Sequence, residues 1–194
     1  MHQLLYITVT LLLASSARGL RPIKSILTAS NGGQWGDWGE KEMCPTGYYA
    51  AGFSLKVENP LGVGDDTALN GICLYCVNKY ASWPFANFAE VTSDTGPWGK
   101  WTEPKWCKSG KLMSFQLRVE PPKGIRDDTT ANNIMFQCSG GEELVGGGPN
   151  WGSWGGWSKW CRGTGICGIL TKVEKPQGSG DDTSLNDVIF LCCD

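Results

Sequence analysis

The chain has a single histidine, and it is the second residue, His2. Beyond it no imidazole remains to build a Ser-His-Asp triad or a His-containing zinc site. The nine cysteines are spread one or two per element, which also disfavours a thiolate metal site. Neither a metal nor a cofactor is expected. No block of Lys and Arg occurs and the formal net charge is -2, so nucleic acid is not an expected partner. No Asn-x-Ser/Thr sequon is present, so N-glycosylation is not expected either. No segment carries a helical period, and no second apolar stretch is long enough to span a membrane. Any catalysis would have to run on carboxylates, Lys, Tyr or a spare thiol.

What is present begins with a short apolar run, Leu4 to Ala14, followed by Ser15, Ser16 and Ala17. This reads as a secretory signal over residues 1–19, cleaved after Ala17 or Gly19, although no Lys or Arg precedes the run. A membrane anchor is the weaker reading, because the run is too short. A secreted, extracellular protein is expected, and nine cysteines suit an oxidising compartment. The remaining residues, 20–194, suffice for one domain burying roughly 70% of its unfolded surface.

Those residues say the same thing three times. Trp35-Gly-Asp-Trp38, Cys44, Val57, Asp65-Asp66-Thr67 and Cys76 form the first copy. Trp98-Gly-Lys-Trp101, Cys107, Val119, Asp127-Asp128-Thr129 and Cys138 form the second. Trp151-Gly-Ser-Trp154, Cys161, Val173, Asp181-Asp182-Thr183 and Cys192 form the third. The copies cover about residues 24–80, 86–140 and 141–194. Each contains an alternating segment: Ala51, Phe53, Leu55 and Val57 on one face, with Ser54, Lys56 and Glu58 on the other. Met113, Phe115, Leu117, Val119 and Cys167, Ile169, Thr171, Val173 are the counterparts. A period of two marks strands with one buried face. A closing strand follows in each, carrying Ile72, Leu74, Cys76 or its equivalents. With 27 Gly and 10 Pro the chain is rich in turns. Three such sheets bury most apolar surface by packing around a common axis, as an all-β prism. A seven- or eight-stranded sandwich is the alternative, though it has no use for a three-fold repeat.

The repeat also pairs cysteines. Cys44 with Cys76, Cys107 with Cys138, and Cys161 with Cys192 are equivalent, each closing a loop of about 30 residues. Cys167 with Cys193 is the simple further pair and leaves Cys73 free. Adjacent strand residues point to opposite faces, however, and Cys167 lies on the apolar register. The swapped set, Cys161–Cys193 with Cys167–Cys192, therefore stays open. Cys73 is read as a buried, inert thiol, with pairing between chains as the alternative.

Gly64-Asp-Asp-Thr-Ala-Leu-Asn-Gly71, Phe53-Ser-Leu-Lys-Val-Glu58, Gly141-Glu-Glu-Leu144 and the terminal Leu191-Cys-Cys193 closely resemble the vitelline membrane outer layer protein I family. The likeness runs from about residue 24 to the end. It implies a β-prism of three four-stranded Greek-key sheets and a secreted protein of extracellular coats and secretions. It also implies an ability to bind or transform oligosaccharides. Cys73 departs from the family pattern.

The repeated Asp pairs, Asp65 and Asp66, Asp127 and Asp128, Asp181 and Asp182, are read as structural turns, since Asp and Asn fix turns through backbone amides. Trp35, Trp98 and Trp151 are expected to pack the prism ends or core. The third copy is unlike the others, with Trp151, Trp154, Trp157 and Trp160 recurring every three residues among Gly and Ser. That run is the candidate for carbohydrate contact, with Asp37 and Glu40 of the acidic first turn beside it; Glu42 and Glu103 are weaker acids of the same kind. Trp83-Pro-Phe-Ala-Asn-Phe88, between the first two copies, is a linker with apolar anchors or a partner surface. The expected function is a secreted coat or matrix component that binds oligosaccharide or glycoprotein. The alternative is a carboxylate-based glycosyl transferase or transglycosylase acting on N-acetylglucosamine oligomers.

Overall fold

The computed structural model describes residues 21–58, 69–120, 131–175 and 184–194. The expected signal segment and the three Asp-Asp-Thr loops lie outside these residues.

Among the described residues the chain is all β. The first repeat contributes β1 (Ile23–Thr28), β2 (Asp37–Trp38), β3 (Glu42–Met43), β4 (Tyr48–Val57) and β5 (Leu69–Asn78). The second contributes β6 (Ala89–Thr92), β7 (Lys100–Trp101), β8 (Lys105–Trp106), β9 (Leu112–Val119) and β10 (Ala131–Cys138). The third contributes β11 (Glu143–Val145), β12 (Ser153–Trp154), β13 (Gly165–Val173) and β14 (Leu185–Cys193). They form three antiparallel sheets, ordered β1-β14-β13-β2, β6-β5-β4-β7 and β11-β10-β9-β12, with β3 and β8 also pairing to β13 and β4.

No sheet is built from one repeat. Each takes its two long central strands from one copy and its outer strands from the next, and β1 and β2 close the sheet of the last copy. Backbone bonds tie the copies together at equivalent points. The amides of Cys44, Cys107 and Cys161 donate to the carbonyls of Cys167, Ala51 and Met113, each at 2.8 Å. Those of Gly39, Thr102 and Gly155 donate to Thr171, Leu55 and Leu117.

The inward residues form one core. Phe53, Phe115, Phe136 and Phe190, all fully buried, come from three different sheets and meet along the prism axis. Phe136 lies 4.7 Å from Phe53 and 5.2 Å from Phe190 between ring centroids.

Four disulfides are present: Cys44–Cys76, Cys107–Cys138, Cys161–Cys192 and Cys167–Cys193, with Cys73 free and buried. Strict alternation puts Cys167 on the inward face with Ile169. A bulge moves it out. Ile166 faces Cys192 and Gly168 faces Leu191, so Cys167 is the extra residue. It joins Cys193, Tyr49 and Leu191 in a small outer cluster, while Cys161 and Cys192 lie in the main core. Ala51 and Met113 are the bulge residues of the other two sheets. Adjacent Cys192 and Cys193 thus keep opposite faces and still both find partners. A second shift in each sheet skips Asn70, Asn132 or Asn186, all buried, so the asparagine three residues after each Asp-Asp-Thr motif lies inside a strand end.

Candidate functional site

The three Trp-Gly-x-Trp motifs are hairpins laid on the sheet edges. Between the two tryptophans Gly36, Gly99 and Gly152 have φ of 82°, 83° and 72°. A Cβ at these positions would lie 2.2–2.4 Å from the backbone of Val173, Val57 or Val119. Glycine is therefore required twice over, by the left-handed backbone and by close approach. From the outward face of each long strand a basic side chain reaches under the hairpin. Lys56 Nζ donates to the carbonyls of Gly96 and Pro97 at 2.8 and 3.1 Å. Lys172 Nζ donates to the Gln34 carbonyl. Arg118 donates to the Gly152 carbonyl and to Asn150 Oδ1, both at 3.2 Å, with its guanidinium carbon 5.5 Å from the Trp154 ring centre.

These mounts hold the indoles at the surface. Trp35 and Trp98 are each 49% exposed and Trp151 is 41% exposed, so the expected packing of all three in the prism ends or core is corrected. The two-residue strands that carry the motif are sheet edges among the described residues. Trp38 and Trp101 are exposed to a similar degree, while Trp154 is half-buried beside Arg118.

The third copy continues along β9. The amides of Gly155, Ser158 and Cys161 donate to the carbonyls of Leu117, Phe115 and Met113. The edge chain advances three residues for every two on β9, and a tryptophan precedes each bonded amide. Trp157 and Trp160 are left exposed. Asp37 and Glu40 are exposed as well, but they lie along the β13 edge, on a different sheet from the Trp151–Trp160 run. The two groups are thus separate surfaces. The Glu40 carbonyl accepts from Ser93 Oγ at 2.8 Å, which fixes this turn to the second repeat.

The linker after the first repeat covers the outer face of β4 and β5. Trp83, Phe85 and Phe88 surround Trp106 at 5.3–6.1 Å between centroids, and Tyr75 lies under the group. Gly52 permits this, since a Cβ there would meet the Trp106 ring. Lys111, buried at the linker's edge with its ammonium 5.6 Å from the Phe85 ring, has its pKa lowered by burial. Cys73 shares the outer face of β5 with Tyr75. Burial, then the charge of Glu90, pushes its thiol up to about 11, so it is protonated at neutral pH and a poor nucleophile.

Asp187 breaks the three-fold pattern in an informative way. Its counterpart Asn133 donates from Nδ2 to the carbonyls of Gly146 and Gly148 and accepts the Ile134 amide. Asp187 also accepts the next amide, Val188, at 2.8 Å, and its carboxyl sits directly under Gly32. A carboxylate has no proton to donate upward. Burial raises the Asp187 pKa above its ordinary 3.8, against the Val188 amide and Lys172, which lower it. A raised pKa means that the stabilising form is the protonated one. Its contribution is complete below pH 3.8 and is lost as pH rises through the folded-state pKa. Asp187→Asn is accordingly expected to raise the thermal midpoint at pH 7, with the gap to wild type closing as pH falls below about 4. Melting curves across pH 3–8 would show it. A gap independent of pH would remove the titration argument.

The vitelline membrane outer layer protein I family model matches residues 25–194. The human vitelline membrane outer layer protein 1 homolog is 47% identical over 192 residues, spanning 98% of this chain and 93% of its own length. The mouse homolog is 52% identical over 171 residues, spanning 87% and 83%. Among solved structures, a mannose-binding lectin from champedak superposes with a TM-score of 0.51 over 90% of this chain and 97% of the lectin, at 12% identity. That likeness is one of fold, a β-prism. With nearly all of the chain matched by the family and two mammalian homologs sharing about half of its residues, this protein belongs to the vitelline membrane outer layer protein I family.

Proposed function

We propose that this protein is a secreted structural component of an extracellular coat or matrix that binds oligosaccharide or glycoprotein. Residues 1–19 serve as the signal and residues 20–194 act as one prism domain. The observation that carries the binding role is the set of half-exposed tryptophans on rigid edge mounts. An indole with one open face offers a flat apolar surface to the C–H face of a pyranose ring. Trp151, Trp154, Trp157 and Trp160 form one contact surface, and Asp37 and Glu40 stand at another. Membership of a vitelline membrane family and a prism shared with a mannose-binding lectin support the same reading. Four disulfides suit an oxidising compartment. Among the described residues no helix is long and apolar enough to cross a membrane. Cys73 is assigned as a buried, inert thiol, and the Asp-Asp-Thr loops as turns.

A glycan array probed with the purified chain is expected to show binding to neutral or amino-sugar oligomers, reaching occupancy at about millimolar ligand or below. A blank array at that concentration would leave a purely structural protein. Incubation with N-acetylglucosamine oligomers is expected to leave their lengths unchanged. Products of altered length would restore the glycosyl-transfer alternative.

A further inference from the structure

The mounts of the three hairpins are equivalent, but what stands between their indoles is not. The central residue is Asp37 in the first, Lys100 in the second and Ser153 in the third, and all three side chains are exposed. The charged neighbours match this order at the first hairpin, where Glu40 and Glu42 outweigh Lys41; Lys105 balances Glu103 beside the second, and Lys159 and Arg162 follow the third, so the central residue carries the difference. The basic groups beneath, Lys172, Lys56 and Arg118, donate to carbonyls of their own hairpins. They hold the mount and keep their charge, so each hairpin has one cation beneath it and the hairpins differ in the exposed central residue above.

Each hairpin also lies on a different sheet. β2 pairs with β13, β7 with β4 and β12 with β9.

We propose that the three Trp-Gly-x-Trp hairpins are three separate saccharide sites that share ring chemistry and differ in charge preference. The Asp37 hairpin takes a cationic amino sugar, the Lys100 hairpin an acidic sugar, and the Ser153 hairpin a neutral one. The inference rests on the carbohydrate-binding reading above and goes further, assigning a site to each repeat and a ligand class to each site. A prism with three unlike sites cross-links different glycans instead of gripping one, which is the behaviour that a coat component needs. Each site is weak alone, and avidity comes from engaging several chains.

Three tetrasaccharide probes separate the sites: a glucosamine oligomer, a hyaluronan fragment and an N-acetylglucosamine oligomer. Indole N–H signals followed by NMR on the full disulfide-bonded chain report which tryptophans each probe touches. The glucosamine oligomer is expected to shift Trp35 and Trp38 first, hyaluronan Trp98 and Trp101, and the neutral oligomer Trp151 and Trp154. Replacing one pair by alanine should weaken its own probe about tenfold or more and leave the other two within about twofold. Asp37→Lys keeps both rings and should turn the first hairpin from the cationic to the acidic probe, most clearly at low ionic strength. This charge variant guards against an alanine pair that simply unfolds its hairpin.

Probes that bind while every shift lies on one hairpin, or away from all three, would overturn the three-site assignment and leave carbohydrate binding standing. Shifts on all three hairpins without charge preference, or an Asp37→Lys variant with unchanged preference, would overturn the ligand classes. Failure of every probe to bind would overturn this inference and the carbohydrate-binding reading together.

Discussion

Replacing Phe136 with alanine is expected to lower stability by about 3–5 kcal/mol, the range for emptying a fully buried aromatic position. Phe136 is the ring that the other sheets close upon. It touches Phe53 of the β4–β5 sheet and Phe190 of the β13–β14 sheet, and Phe115 on its own sheet lies 6.2 Å away. All four side chains are fully buried. A prism has no second layer behind its core, so the hole at the axis can be filled only by drawing sheets inward. The edge hairpins and cystines that lock the sheets together oppose that movement. Phe136→Leu keeps most of the volume and should cost clearly less. Denaturant unfolding would show a lowered midpoint with an unchanged slope. A loss below about 1 kcal/mol for the alanine variant would mean that the ring cluster does not join the three sheets.

The same axis explains what could be read in the chain before its structure. Phe53, Phe115 and Ile169 recur at one position of three alternating segments, and Leu74, Phe136 and Phe190 at another. Alternation names the buried face of a strand and repetition names the symmetry, so the prism was legible. Three things were not. Alternation assumes an unbroken ladder, and the bulge at Ala51, Met113 and Cys167 inserts one extra residue per strand, which carries Cys167 out of the main core while Met113 stays in it. Only Cys167 has chemistry that makes the bulge visible, through its bond to Cys193. Periodicity is also silent on which copy supplies an edge strand, so the hand-over of β1 and β2 to the sheet of the last repeat had no signature. Finally, tryptophan is a large apolar residue whose average burial is high. The sign that Trp35 and Trp98 stand outside is the glycine between paired tryptophans, which brings the hairpin backbone against the strand and leaves no room for rings beneath. Lys56, Arg118 and Lys172 occupy the outward register of the three strands, and their duty as mounts follows from that register once the hairpins are placed.

The cystines should not be equal in effect. Removing Cys107–Cys138 by double alanine substitution opens a loop with a sequence separation of 31 that no other cystine crosses. The chain-entropy model assigns such a loop about 3–4 kcal/mol. Cys161–Cys192 spans an equal separation, and Cys167–Cys193 spans 26, but each lies across the other. With one in place, the unfolded chain already has these ends together, and the second closes only the short stretch from Cys161 to Cys167. That remainder is worth about 2 kcal/mol in the same model. Loss of either third-repeat cystine alone is therefore expected to cost less than loss of Cys107–Cys138, and loss of both more than the sum of the two separate losses. A contribution from packing works in the other direction for one of them. Cys161 and Cys192 lie in the main core, whereas Cys167 and Cys193 lie in the small outer cluster, so the inner pair should cost more than the outer. The expected order of destabilisation is Cys107–Cys138, then Cys161–Cys192, then Cys167–Cys193, read from denaturant midpoints of the three double-alanine variants. Equal losses for all three, or strict additivity in the third repeat, would show that native-state enthalpy outweighs the constraint on the unfolded chain.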